Sequence, residues 1–599
     1  MAPRDTPIER YGVIGDAGTA ALVSETGSID WLCLPAFDND PVFARLLDPA
    51  GGHCAVVALG AREVSRRYLP GTPVLETTLR TASGSATVTD FFVGAPMERK
   101  QRELTPFRWL VRRIEGISGR SSFEIDVAPR DAFGDGRWDL HLDGKRFTAR
   151  MGGRALFGMS TDPLVKEGDA FRGRFDVTEG QVAHLSIAFA DRDVGIVPPI
   201  GAAAEQALRE TVDCWSEWSR ALRCPDRYRG VVERSAITLK LLTFAPTGGV
   251  VAAPTTSLPE SIGEGRNWDY RYVWIRDASR SVLALLAGGH AEDARAYLFW
   301  LANATRLAEP RVDTLYGLTG GKAAPEREIL GLSGYAGSRP VRKGNAAADQ
   351  LQLDNWGYVA EAALAFVESQ GELPWDIWPS IRAFAEFAAA NWQRPDHGIW
   401  EFRDRPRHFV HSKVMCWVAL DRAGRLARLL GDEAPLRRWD ETRRRIEDAV
   451  LRHGVDPGTG SFVRAFDDPV IDASLLELPI VGFIPGEDPR VLATIDRVRA
   501  ELGQDDLLMR YVSEDGLRGG EGAFLPCSFW LAHALAIAGR RDEAQDVFER
   551  ACGRANDLGL LPEEIDPTTG AFLGNFPQGL THLALLGAAA ALDHQPNGS

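Results

Sequence analysis

Two neighbouring stretches, Ser528-Phe529-Trp530-Leu531-Ala532-His533-Ala534-Leu535-Ala536-Ile537-Ala538 and Arg541-Asp542-Glu543-Ala544-Gln545-Asp546-Val547-Phe548-Glu549-Arg550-Ala551-Cys552, decide the fold class. The first is apolar almost all round, as a helix is when it is buried on every side. The second places Ala544, Val547, Phe548 and Ala551 at i, i+3, i+4 and i+7 and leaves Glu543, Asp546, Glu549 and Arg550 for solvent, so it covers something with one face only. Ser412–Leu420 and Leu580–Leu592 repeat the buried kind, and about twelve helical segments of the two kinds alternate from Gly230 onward. An inner ring wrapped by an outer ring requires that alternation, which predicts an (α/α)6 barrel. A helical solenoid would show a fixed repeat period, and the loops between these segments are unequal and rich in Trp, Gly and Asp.

Upstream the pattern is different. Short apolar runs at Thr19–Val23, Ser28–Cys33, Ala86–Phe92, Trp109–Ile114, Phe123–Val127 and His184–Phe189, with turn residues such as Glu25-Thr26-Gly27 between them, read as antiparallel strands. Many such strands predict a β-sandwich. The pattern changes after Val197-Pro198-Pro199-Ile200-Gly201. The chain therefore divides into a β-sandwich domain at 1–200, a linker helix within 201–225 spanning Glu205–Ser219, and the barrel at 226–599.

A chain of 599 residues exceeds one ordinary hydrophobic core, and its 25% charged and 45% hydrophobic residues are those of a globular protein. A net charge of -15 repels phosphate backbones and anionic lipid, which argues against nucleic-acid and membrane partners and for a small neutral substrate. The N-terminus has no apolar core of a signal peptide, and no run approaches the ~18 uninterrupted apolar residues of a membrane span, so a cytoplasmic protein is expected. Seven scattered cysteines without a Cys-x-x-Cys pair suggest neither a disulfide framework nor a zinc site.

Four clusters fall in the loops. Arg266-Asn267-Trp268-Asp269-Tyr270-Arg271-Tyr272-Val273-Trp274-Ile275-Arg276-Asp277 lies just ahead of the apolar helix Ser281–Leu286 and mixes rings with paired charges. Rings cover the C–H face of a sugar while charged groups bridge its hydroxyls; the plain alternative is a helix-capping Asp277 with Arg276 in a surface pair. His397-Gly398-Ile399-Trp400-Glu401 sets a carboxyl beside a large ring, and a carboxyl so placed keeps its proton more readily, as a general acid must. Gly559-Leu560-Leu561-Pro562-Glu563-Glu564-Ile565-Asp566-Pro567 offers three carboxylates from which a general base can come. Both acidic stretches read equally as solvated loops. Leu517-Arg518-Gly519-Gly520-Glu521-Gly522-Ala523-Phe524 is glycine-rich, but it follows no strand and lacks a Walker lysine.

Taken in order, these four runs resemble glycoside hydrolase family 15, the glucoamylases and bacterial trehalases. Pro7-Ile8-Glu9-Arg10-Tyr11-Gly12-Val13-Ile14-Gly15-Asp16, Gly27-Ser28-Ile29-Asp30-Trp31-Leu32 and Phe37-Asp38 resemble the β-domain of its trehalase-like branch. The likeness spans nearly the whole chain. It implies an inverting mechanism on an (α/α)6 barrel with no cofactor and no metal in the chemistry. By motif, Glu401 matches the general acid and Glu563 the general base, with Glu564 the rival base. Arg276 and Asp277 match residues that grip the terminal glucose; Tyr270, Trp274 and Trp400 would line its pocket, with Arg518, Glu521 and Glu564 shaping it. Gln352, Asp354, Trp356 and His408 are candidates for holding the second sugar.

Inversion needs room for a water, so the two carboxyl groups are expected roughly 6.5 to 9.5 Å apart. The resemblance implies an exo-acting α-glucosidase that releases single glucose units, with trehalose the first choice of substrate and malto- or isomalto-oligosaccharides the alternative. Two rivals stand beside it: an α-glucoside phosphorylase, which needs no base carboxylate, and a noncatalytic sugar-binding protein. A homo-oligomer is compatible with the sequence.

Overall fold

The protein is described by a computed structural model over residues 6–94, 108–191, 196–306, 311–373, 377–512, 515–517 and 519–594. Its first part is strand: β1 (Tyr11–Gly15), β2 (Ala20–Ser24), β3 (Ser28–Cys33), β4 (Pro41–Phe43), β5 (His53–Ala58), β6 (Glu63–Tyr68), β7 (Leu75–Arg80), β8 (Gly84–Phe92) and β9 (Trp109–Ala128). β10 (Asp139–Asp143), β11 (Arg146–Met151), β12 (Arg154–Ser160), β13 (Val165–Glu167), β14 (Ala170–Thr178) and β15 (Val182–Asp191) follow. All named strand pairs are antiparallel, as expected. One expectation changes: Trp109–Ile114 and Phe123–Val127 are not separate strands but the two halves of β9. Its first half pairs with β8 and β15, and its second with β5 and β14. Two glycines let the chain pass between these neighbours. A Cβ on Gly116 would sit 2.2 Å from the Thr178 carbonyl oxygen, and one on Gly119 (φ +60°) 2.2 Å from that of Ser83.

Helices follow. α1 (Ala202–Arg220) contains the expected Glu205–Ser219. Then come α2 (Arg229–Leu242), α3 (Ile275–Ala287), α4 (Ala291–Thr305), α5 (Asn355–Gln370), α6 (Ile377–Asn391), α7 (Val410–Leu430) and α8 (Leu436–His453). A short α9 (Glu477–Ile480), α10 (Pro489–Leu502), α11 (Leu525–Ile537), α12 (Arg541–Cys552) and α13 (Gly579–Asp593) complete the set. α12 buries Ala544, Val547, Phe548 and Ala551, the residues its period marks. α8 likewise buries only Trp439, Thr442, Ile446 and Val450, whereas α7, α11 and α13 bury most of their side chains.

The mostly buried helices touch in sequence: α3 packs on α5, α5 on α7, α7 on α9, α9 on α11, α11 on α13, and α13 returns to α3. The one-sided helices lie against this set, α8 on α7 and α12 on α11, with α2 on α13. One continuous apolar cluster runs from Ile8 in the strand part to Ala589 in α13. The first turns of α3 and α13 and the residue before α11 come together at one end of the helical set. There they surround a pocket.

Candidate functional site

Arg276 and Asp277 were expected ahead of a helix beginning near Ser281. They lie instead inside the first turn of α3, because Trp274 is still extended and the helix starts at Ile275. An acid in a first turn is favoured by the helix dipole. Asp277 also receives the Arg276 Nε at 3.1 Å, while Arg276 Nη1 donates to the Ile399 carbonyl at 2.9 Å. Burial raises the Asp277 carboxyl against the pull of Arg276. Both residues line the pocket, together with Tyr270, Trp274, Trp400, Glu401 and Glu563.

Glu401 sits at φ +61°, a left-handed conformation that costs a side-chain-bearing residue about 1–3 kcal/mol and persists only where its surroundings impose it. Its side chain is 22% exposed, and its Oε1 accepts the Trp274 indole N–H at 2.8 Å with Arg276 Nη2 3.8 Å away. The ring hydrogen-bonded to this carboxylate is therefore Trp274. Trp400, its sequence neighbour, donates its N–H to Asp472 at 3.0 Å and packs against Tyr511, Phe524 and Trp530.

Glu563 is 1% exposed. Tyr270 OH donates to its Oε1 at 2.6 Å and the Asn575 backbone N–H to its Oε2 at 3.2 Å. Burial and the negative charge of Glu260 push its carboxyl up to about 8, opposed by these two donors and by Arg510. Tyr270 and Trp274 meet edge to face at 5.3 Å, so one short segment holds both candidate carboxylates.

Glu564 is also buried, but its Oε2 takes the Gly522 N–H at 2.7 Å. Neither it nor Glu521 is among the residues that line the pocket. Both belong to a charged layer behind the wall. Arg510 donates to Glu260 at 3.0 Å and to Glu521 at 2.6 Å and lies 3.8 Å from Glu564; Arg266 pairs with Asp515 at 2.8 Å and Glu521 at 3.1 Å. Glu260, Glu521 and Glu564 bring one oxygen each within 4.8 Å of one another, a grouping that could hold a metal ion, with Arg510 already supplying a positive charge among them.

The other expectations separate. Arg518 lies outside the described residues. Gln352, Asp354 and Trp356 are buried, and His408 is exposed and stacks on Phe466. None of these four lines the pocket. Residues not foreseen do: Glu260, Asn345, Arg403, Arg510, Tyr511 and Gln578. Arg510 carried one readable signal, a lone charge in the apolar run Leu507-Leu508-Met509-Arg510-Tyr511. Glu260 carried none.

Residues 226–590 match the family described as glycosyl hydrolases family 15, and residues 2–155 match one described as trehalase-like, N-terminal. The chain belongs to glycosyl hydrolase family 15. It is 36% identical to a trehalase of Mycolicibacterium smegmatis over 97% of this chain and 90% of the relative. It is 37% identical to one of Mycobacterium tuberculosis over 97% and 89%, and 36% identical to one of Thermoplasma volcanium over 98% and 93%. In fold it is similar to a bacterial glucoamylase solved with acarbose, with a TM-score of 0.72 at 13% identity over 99% of this chain and 94% of that one.

Proposed function

We propose that this chain is an inverting α,α-trehalase, with Glu401 as general acid and Glu563 as general base. The observation that carries the reading is the pair of hydrogen bonds from one segment, Tyr270 to Glu563 at 2.6 Å and Trp274 to Glu401 at 2.8 Å, across a pocket that also holds Arg276 and Asp277. Arg276 and Asp277 would bind the outer hydroxyls of the terminal glucose by charge-assisted hydrogen bonds. Glu401 would protonate the glycosidic oxygen as the C–O bond breaks. Glu563 would take a proton from a water attacking the opposite face, giving β-glucose at the attacked carbon.

A base must be ionised to act. The Tyr270 and Asn575 donors and Arg510 favour that form of Glu563, and Glu260 and burial oppose it. Behind the wall, Glu564 and Glu521 would shape the site through Arg510 without touching sugar. The order in which the helices touch supports an (α/α)6 barrel from about 226, with α3, α5, α7, α9, α11 and α13 inside, and the two sets of strands that β9 joins fit a β-sandwich at 1–200.

The test is a proton NMR time course on trehalose, maltose, isomaltose and kojibiose, read for substrate linkage and product anomer together. The trehalase reading expects trehalose to be cleaved fastest, with α- and β-glucose released in equal initial amounts, β from the attacked ring and α from the leaving one. Faster cleavage of maltose would favour a glucoamylase-like enzyme, and exclusive α-glucose would refute inversion. Glu401→Gln and Glu563→Gln should each lower kcat by roughly 10²–10⁴-fold or more.

A further inference from the structure

The segment that holds the two carboxylates also reaches the other way. Between Tyr270 and Trp274, Arg271 points out of the pocket and into the strand part, where it is 0% exposed. Its Nη1 donates to the Asn39 carbonyl at 2.7 Å and to that of Phe37 at 3.5 Å. Its guanidinium lies 5.9 Å from the Trp31 ring and 5.5 Å from that of Phe133. Its remaining donors close a two-bonded pair with Asp269, Nε at 2.8 Å and Nη2 at 2.7 Å. Asp269 is itself fixed by the Gly344 N–H at 3.1 Å and by strand pairing with Thr256.

A second tie comes from the same side. Trp31 donates its indole N–H to the Pro254 carbonyl at 2.7 Å. The two residues before Pro254, Ala252 and Ala253, give their N–H groups to the carbonyls of Tyr272 and Tyr270, each at 3.1 Å. The strand part thus grips the segment directly, through Arg271, and from its flank, through Pro254.

We propose that the loop Phe37–Asn39 and Trp31 are working parts of the site: by clamping Arg271 and Pro254 they fix where Tyr270 and Trp274 stand, and so set the spacing of Glu563 and Glu401. Arg271 is a positioning residue, since it does not line the pocket. The inference rests on the reading of Glu401 and Glu563 as the catalytic pair. The physical reason for its effect is that reacting groups misplaced by about 1 Å lose on the order of 10²-fold in rate even when the change is distant.

The experiment measures kcat, KM and the pH profile on trehalose for the unaltered chain, Arg271→Lys, Trp31→Phe and Glu563→Gln, with circular dichroism and melting curves on each. Lysine keeps the charge but loses the planar fork that bonds both Asp269 oxygens while a third nitrogen reaches Asn39; phenylalanine keeps a ring but not the bond to Pro254. Folded Arg271→Lys is expected to lose roughly 10–100-fold in kcat with KM little changed. Its rising pH limb should move to higher pH, because a loosened Tyr270 no longer favours ionised Glu563. Trp31→Phe should shift both quantities the same way by less. A merely structural role predicts lower melting temperatures with kcat and pH profile unmoved, and that result in the folded variants overturns the proposal. If Arg271→Lys does not fold, Trp31→Phe decides alone. An unaltered chain inactive on every glucoside, or an active Glu563→Gln, overturns the catalytic reading and this inference with it; an active parent and dead Glu563→Gln beside unaffected Arg271→Lys and Trp31→Phe overturns the inference only.

Discussion

Glu563 receives a phenol O–H and a peptide N–H while burial and Glu260 work against its charge, so its proton affinity is set by a balance that single substitutions can tip. Tyr270→Phe removes a donor that favours the ionised form, so it raises the Glu563 pKa, and kcat/KM should rise with pH later than in the unaltered chain. Glu260→Gln removes a nearby negative charge and leaves Arg510 less neutralised. Both changes lower the Glu563 pKa, so activity should extend to lower pH. Profiles of kcat/KM from pH 4 to 9 check the two signs, and shifts in the same direction would refute the balance. Linkage adds a stability counterpart. A carboxyl raised to about 8 on folding holds a proton that the unfolded chain releases near pH ~4.3, so its contribution is full below that pH and is lost as pH rises through about 8. Glu563→Gln, permanently neutral, should therefore melt higher than the parent at pH 8.5 and show little difference at pH 4. At this scale the sequence was half readable. Glu401, Glu563, Arg276 and Asp277 stand in motifs, but the partners that set their charge, Glu260 and Arg510, come from distant loops that only the folded chain brings together.

Turns and short strands decide which of two adjacent glutamates faces the pocket. Glu564–Ile565 pairs with Ala523–Phe524 on one side and Phe572–Leu573 on the other, and alternation along an extended chain sends Glu563 and Glu564 to opposite faces. The connection after Phe572–Leu573 passes Gly574 at φ +72°, where a Cβ would lie 2.4 Å from Glu563 Oε2. Gly574→Ala should therefore push the carboxylate off its two donors and lower kcat at least tenfold. Gly570, at φ +76° with open space around it, is the control: Gly570→Ala carries the same backbone strain, about 1 kcal/mol, and should leave kcat within twofold. Equal effects of the two substitutions on kcat would show that strain, not displacement, is responsible. Periodicity made α12 legible to the residue, because a one-sided helix writes its buried face into the sequence. It misplaced the start of α3, since the helix dips under Arg276 and Asp277, polar residues that no apolar period marks. It also split β9, whose two apolar halves are joined by the exposed stretch Ile117–Arg120.

Across the whole molecule the strand and helical parts are bound by more than the Arg271 clamp. Ala245 N–H donates to the Ala17 carbonyl at 2.7 Å, Asn556 reaches the carbonyls of Glu9 at 3.1 Å and Tyr11 at 3.0 Å, and Tyr335 OH that of Thr6 at 3.1 Å. The Arg234 guanidinium stacks 3.9 Å from the Tyr68 ring. Beneath these bonds one apolar cluster passes from strands to helices without a break. Buried apolar surface contributes roughly 25 cal/mol per Å², so separating the two parts would expose much of what stabilises each. They should unfold together. Scanning calorimetry of the whole chain is expected to give a single endotherm, with loss of trehalose hydrolysis at the same temperature. Two resolved transitions, or activity lost well before either, would mean that the boundary near residue 200 separates independently stable units and that the shared core contributes little. Composition and period divide the chain near residue 200 as a change of pattern; only the packing joins what the pattern divides.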